Sequence, residues 1–239
     1  MEEMSTLDEP GQIYYVTEAR NATLRELLRM SAPTVSGKLG AIFLKILKPA
    51  NPPQIGMAFN NLLRCSVADI PELKSMFDSI ITSLAQLSFS PAIAARLPIL
   101  GEGSCCSLAL LGETPNMYAN IVYSKAWANG QEYDESGLSF ISRGATTVWV
   151  TSGLARTLDS PQVFNVVHYP NHSPESLYEA HCERIKAVPP ETLRAFDIEN
   201  LWLALCENEA MITEFNTGRG VFRPMTTTEL KAITKGKKA

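Results

Sequence analysis

Along this chain apolar residues recur with two periods, three to four in some stretches and two in others, and the switches between them predict its elements. The strongest helical stripe runs from Ile70 to Leu87, where Leu73, Phe77, Ile80, Ile81, Leu84 and Leu87 fall on one face. Asp69 and Glu72 have capping-box spacing and Pro71 suits a first turn, so the helix is expected to begin there. Upstream, Thr23 is placed to cap a short helix from Leu24 to Met30, which Pro33 ends. Residues 37–48 predict a second helix. Leu39, Ile42, Phe43, Ile46 and Leu47 share a face, and Lys38, Lys45 and Lys48 lie elsewhere around it. Pro49, Pro52 and Pro53 then break the chain. They divide an N-terminal helical arm and Pro-rich linker, residues 1–53, from a main domain, residues 54–239.

After Phe89 the period shortens. Cys105 to Leu111, Met117 to Tyr123, Leu138 to Ser142, Thr146 to Thr151 and Val163 to His168 read as strands, and Arg143-Gly144-Ala145 reads as a hairpin turn. Ile13 to Val16 is a further short strand. Connections this short leave no room for crossover helices, so the five strands are expected to pair antiparallel. Helical spacing returns after Ser173, an N-cap followed by Pro174, and continues to about Ala187. A helix from about Glu191 to Glu209, a turn at Asn216 to Gly220 and a short helix over Thr228 to Thr234 complete the chain. The expected fold is α+β: an antiparallel sheet of about five strands, helices packed mainly on one face, and an N-terminal helical arm.

Composition narrows the function classes. Hydrophobic residues at 45% are enough to build a core, which excludes wholesale disorder. A net charge of −4 lacks the basic surplus of a dedicated nucleic-acid binder. The acidic start Met1-Glu2-Glu3-Met4 does not read as a signal peptide, and the apolar run Leu39 to Leu47 is too short to span a bilayer. Five cysteines cannot all pair within one chain, and vicinal Cys105 and Cys106 are poorly placed to bond each other. Free thiols in the cytoplasm are therefore expected.

Candidate chemistry is sparse. Gly101-Glu102-Gly103-Ser104-Cys105-Cys106-Ser107 matches no phosphate-loop pattern, and a glycine turn entering a strand accounts for it. A thiol there could act as a nucleophile, with His168 or His172 as its base, which makes Cys105, Cys106, His168 and His172 the catalytic candidates. His168, His172, His181, Cys182 and Glu183 do not form a chelating set. Pro170 separates the first two histidines, and helix neighbours such as His181 and Cys182 diverge by about 100°. No metal or cofactor is expected. Tyr118, Tyr123, Trp127 and Tyr133 are the ligand-binding candidates, at a pocket where a 127–137 loop carrying Asp134 and Glu135 would meet the strand edges. Asn216 to Gly220 and the Lys235, Lys237, Lys238 tail read as a turn and a solvated end.

The leading reading is a non-catalytic module binding a small ligand or a protein partner. The alternatives are a thiol-dependent enzyme, and a peripheral membrane or scaffold protein that uses the amphipathic segment 37–48.

Overall fold

The structure is a computed structural model that describes residues 12–31, 34–47, 55–59, 61–67, 70–128 and 131–236. It is α+β, with six α-helices and two sheets among these residues. The larger sheet has seven strands in the order β10-β9-β8-β7-β6-β4-β3. They are β3 (Leu63–Cys65), β4 (Phe89–Leu97), β6 (Gly103–Gly112), β7 (Tyr118–Ala128), β8 (Gln131–Arg143), β9 (Val148–Ser152) and β10 (Phe164–His168). A small sheet joins β1 (Tyr15–Thr17), β2 (Gly56–Met57), β5 (Ile99–Leu100) and β11 (Phe222–Pro224) in the order β11-β1-β2-β5.

The main sheet is larger than the five strands expected, and one of its pairings differs. From β3 to β9 every neighbour is antiparallel, but β10 runs parallel to β9, with Phe164 opposite Val148 and His168 opposite Ser152. Residues 153–163 make this possible. Eleven residues reach about 36 Å extended, enough to return along a five-residue strand of about 17 Å without a crossover helix. The unexpected strand β4 contains Pro91, which lacks an N–H; the register against β6 shifts between Pro91 and Ile93, where a ladder can absorb it.

Helices cover both faces of this sheet, not mainly one. On one face lie α3 (Pro71–Gln86) and α4 (Pro174–Ile185), packing Phe77, Leu84 and Leu177 against Leu108, Leu110, Ala119, Ile121, Leu138 and Phe140. The predicted stripe of α3 is therefore buried. Phe77 and Leu84 are inaccessible, and Ile80, Ile81 and Leu87 pack against the same cluster. Asp69 lies outside the described residues, as do the side chains of Leu73 and Glu72. On the opposite face α5 (Ile198–Gly218) packs Leu201, Ala204 and Leu205 against Ile93, Ala109, Tyr118, Ile141 and Val148. The strand period of two puts neighbours such as Tyr118 and Ala119 into different cores.

α5 begins and ends later than the sequence pattern suggests. Asp197 accepts from the Asn200 N–H at 2.8 Å and caps its start, while residues 190–192 form a separate 3-10 turn. The helix then runs through Asn216 and ends at Gly218; Arg219 is its C-cap and Gly220 follows with a φ of 70° that suits glycine.

Residues 15–30 make specific contacts with the C-terminal part of the chain. β1 pairs with β11 from Tyr15–Pro224 to Thr17–Phe222, and Glu18 and Glu229 both bond the Arg223 guanidinium at 2.6 Å. Thr23 and Glu26 form a reciprocal capping box at the start of α1 (Leu24–Met30). α2 (Val35–Leu47) packs beside α1, and α6 (Thr227–Gly236) lays Leu230 and Ile233 on the small sheet's core. No helix among the described residues is long and apolar enough to cross a membrane.

Candidate ligand cavity between helix and sheet

The α5 face of the main sheet is incompletely filled. Where α5 departs from the strands a cavity of 260 Å³ remains, equivalent to about eight water-sized groups. Its floor takes alternate residues from consecutive strands: Cys105 and Ser107 from β6, Tyr118, Asn120 and Val122 from β7, Ser139 and Ile141 from β8, Val150 and Ser152 from β9. β10 contributes Phe164, Val166 and His168 at the far side. Leu205, Asn208, Glu209 and Ile212 of α5 form the roof; they recur at spacings of three and four, so one helix face carries all of them.

The walls are mostly apolar, and the polar atoms among them fall into two groups. Some satisfy each other. Ser139 Oγ donates to Ser152 Oγ at 2.9 Å, Ser152 Oγ accepts from the Leu154 N–H at 3.2 Å, and His168 Nδ1 is 2.9 Å from the Leu154 carbonyl. A carbonyl only accepts, so the His168 proton sits on Nδ1. Others are unmatched. Asn208 donates through Nδ2 to the Tyr118 hydroxyl at 3.0 Å, but its Oδ1 is buried with no hydrogen-bond donor, and so is Asn120 Oδ1. Glu209 is partly buried as a residue, and burial pushes its carboxyl up to about 7. A carboxyl and two unpaired amide oxygens thus line one largely apolar cavity.

The sequence-based candidates separate in space. Tyr118 is fully buried and lines the cavity, while Tyr123 points to the opposite core and packs its ring at 6.3 Å from Phe77. Trp127 is 42% exposed and Tyr133 falls opposite Ala126 on β8. The expected 127–137 loop is strand on both sides, β7 running to Ala128 and β8 starting at Gln131. Its polar residues sit on paired backbone and Lys125 meets Glu132 across the ladder, so a loop-like composition was compatible with a long hairpin.

Cys105 and Cys106 both border the cavity, and Cys106 is also buried in the cluster on the opposite face. His168 lies on β10, four strand positions from β6, or about 19 Å along the sheet. His172 is exposed in the turn before α4. The structure therefore brings no thiol and imidazole of this set into hydrogen-bonding reach. Burial, with the charge of Glu209 behind it, pushes the Cys105 thiol up to about 12. Alkylation of Cys105 at pH 7.5 is accordingly expected to run about two to three orders of magnitude slower than that of an unperturbed thiol. Site-resolved mass spectrometry checks this, and selective labelling of Cys105 at an ordinary thiol's rate would contradict it.

The third histidine is the most constrained. His181 is buried under the sheet between Ser142 Oγ, 3.0 Å from Nε2, and Thr151 Oγ1, 2.9 Å from Nδ1. Arg184 also donates to Thr151 Oγ1 at 2.6 Å, so both ring nitrogens of His181 and the threonine hydroxyl are engaged in one buried network. Burial, reinforced by Arg184, pushes its pKa down to about 3. It is a neutral structural link. Among the described residues no three His, Cys, Asp or Glu side chains group as a metal site would need.

Asn120, Asn208 and Glu209 were not singled out from sequence. Glu209 carried a signal: it falls four after Leu205 and three before Ile212, in an apolar helical stripe. No protein-family model, curated protein or solved structure matches this chain.

Proposed function

We propose that this protein is a binding module that takes a small, largely apolar molecule, ended by a hydroxyl or ammonium group, into the cavity between α5 and the main sheet. The observation that carries this reading is the acceptor set. Asn120 Oδ1 and Asn208 Oδ1 are buried without donors, beside a Glu209 carboxyl that burial disfavours as an anion. Leaving buried acceptors unpaired costs about 1–3 kcal/mol each, and a ligand's O–H or N–H group offsets that cost. An ammonium group also restores the charged form of Glu209. The remaining walls, among them Val122, Ile141, Val150 and Phe164, suit a hydrocarbon body.

The test is a matched series of short-chain alkylamines, alkanols and alkanoates titrated calorimetrically into the full chain. Amine and alcohol are expected to bind at least about tenfold more tightly than the carboxylate of equal length. Amine affinity is expected to rise between pH 6 and pH 8 as Glu209 ionises. Asn120→Leu and Asn208→Leu should erase the preference for donors. Equal affinity across the three head groups, or preference for the carboxylate, would sink this reading.

A further inference from the structure

α2 turns its apolar stripe away from the body. Val35, Leu39, Ile42, Phe43, Ile46 and Leu47 occupy an arc of about 140° around the helix. All are exposed; Phe43 is 60%, Ile46 71% and Leu47 68% accessible. The opposite side holds the helix in place. Ala41 is buried and Leu44 packs with it in a cluster formed by Ala22, Leu27, Val221 and Phe222, while Lys45 Nζ donates to the Ala22 carbonyl at 2.7 Å. The stripe is therefore not the face α2 uses for its own fold. Leu24, Leu28 and Met30 of the adjoining α1 are exposed as well. Scattered exposed apolar residues are ordinary, but a concentration of this size on one helix pair marks a contact surface.

Charge identifies the occupant. Between Glu26 and Asp69 the chain has no acidic residue, in a protein of net charge −4; of its cations there, Arg29 pairs with Asp159, Arg64 with Glu199, and Lys45 bonds the Ala22 carbonyl. Arg25 and Lys38 are exposed on the two helices. A second copy packed through a two-fold axis on this same segment would offer these cations no acidic partner from it. An anionic lipid surface instead pairs them with headgroups and accepts the stripe among its acyl chains.

We propose that α2 lies in the plane of an anionic bilayer surface, with Leu39, Phe43 and Ile46 in the hydrocarbon boundary and Lys38 and Arg25 at the headgroups. This surface is separate from the cavity, and the proposal holds whether or not the cavity takes a ligand. The full chain is expected to co-sediment with phosphatidylcholine vesicles containing about a third phosphatidylserine, to bind pure phosphatidylcholine at least about tenfold more weakly, and to dissociate as salt is raised. Phe43→Ser/Ile46→Ser should weaken binding at least about tenfold, and Lys38→Glu several-fold, with melting temperatures close to that of the parent chain. Vesicle-bound Phe43→Trp should show a blue-shifted emission, which reports insertion without removing an apolar side chain. Absence of binding to the anionic vesicles, binding unchanged by the double substitution, or an unshifted emission from the Phe43→Trp protein would each overturn the proposal. So would a concentration-dependent dimer abolished by Phe43→Ser/Ile46→Ser, which assigns the face to a second copy.

Discussion

Between pH 7 and pH 5 the Glu209→Gln protein is expected to lose stability and the His181→Gln protein to gain it. The native chain, in which the two effects oppose each other, should change less than either. His181 is held at about 3 by burial and Arg184, against an ordinary 6.5. Below 6.5 the unfolded chain takes up a proton that the folded chain refuses. The stability His181 provides is therefore complete above 6.5 and is lost as pH falls toward 3. Glu209 behaves in the opposite sense. Burial raises it to about 7, so between 4.5 and 7 the folded chain keeps a proton that the unfolded chain has released. Its contribution becomes more favourable as pH falls through that interval. Each effect is worth about 1–3 kcal/mol at pH 5 relative to pH 7. Glu26 and Glu229, held at about 2, act at lower pH and leave the interval clear. Urea unfolding of the three proteins at pH 5, 6 and 7 tests the prediction. Parallel stability profiles would mean that neither group is enclosed as described.

How far each of these features could be read from the sequence depends on whether its cause was local. The α3 stripe was legible because a helix buried on one side repeats its contact every three to four residues, and Phe77 and Leu84 do face the sheet. Ser173 before Pro174 and Thr23 before Leu24 were legible because a cap bonds within its own first turn. Burial of the sheet on both faces was harder to see. Its signal was the unbroken apolar run Leu108-Ala109-Leu110-Leu111, which a strand with one wet face would have interrupted. β4 escaped because Pro91 and the small residues Ala92, Ala94 and Ala95 do not resemble a strand; only its position between β3 and β6 explains it. The cavity was illegible for a different reason. Tyr118, Ser139, Ser152 and Asn208 meet through strand order and the crossing of α5, and no spacing in the chain records that meeting. Likewise the α2 stripe was legible as one apolar helix face, but periodicity cannot say whether such a face turns inward or outward, and here it is exposed.

Glu26→Ala is expected to destabilise the protein by about 3–5 kcal/mol, one of the largest effects of any single polar substitution here. Glu26 is wholly buried, and each of its carboxylate oxygens is engaged. Oε2 accepts from the Thr23 N–H at 2.7 Å, and Oε1 accepts from the Asp159 N–H at 2.7 Å and from Arg219 at 2.8 Å. Around this centre Asp159 accepts from Arg29 and Arg156, both at 2.7 Å, and the Arg219 guanidinium lies over the Phe215 ring at 4.6 Å. Helix α1, the 153–163 connection and the end of α5 therefore close on one carboxylate. Burial alone would raise its pKa, but the hydrogen bonds from Asp159, Arg219 and Thr23 outweigh burial and hold it down to about 2. The stability it provides is present above about 4.5 and is lost as pH falls toward 2, about 3 kcal/mol in all. Removing the side chain strands the Thr23 and Asp159 N–H groups and leaves Arg219 with Asn216 and the more distant Asp159 carboxylate, so much of the loss is the cost of unpaired groups. Glu26→Ala/Arg219→Ala should therefore lose less than the sum of the two single substitutions, by about 1–3 kcal/mol. The cycle is measured by denaturant unfolding at pH 7. Strict additivity, or a single-substitution loss below about 1 kcal/mol, would show that the carboxylate does not join these three segments.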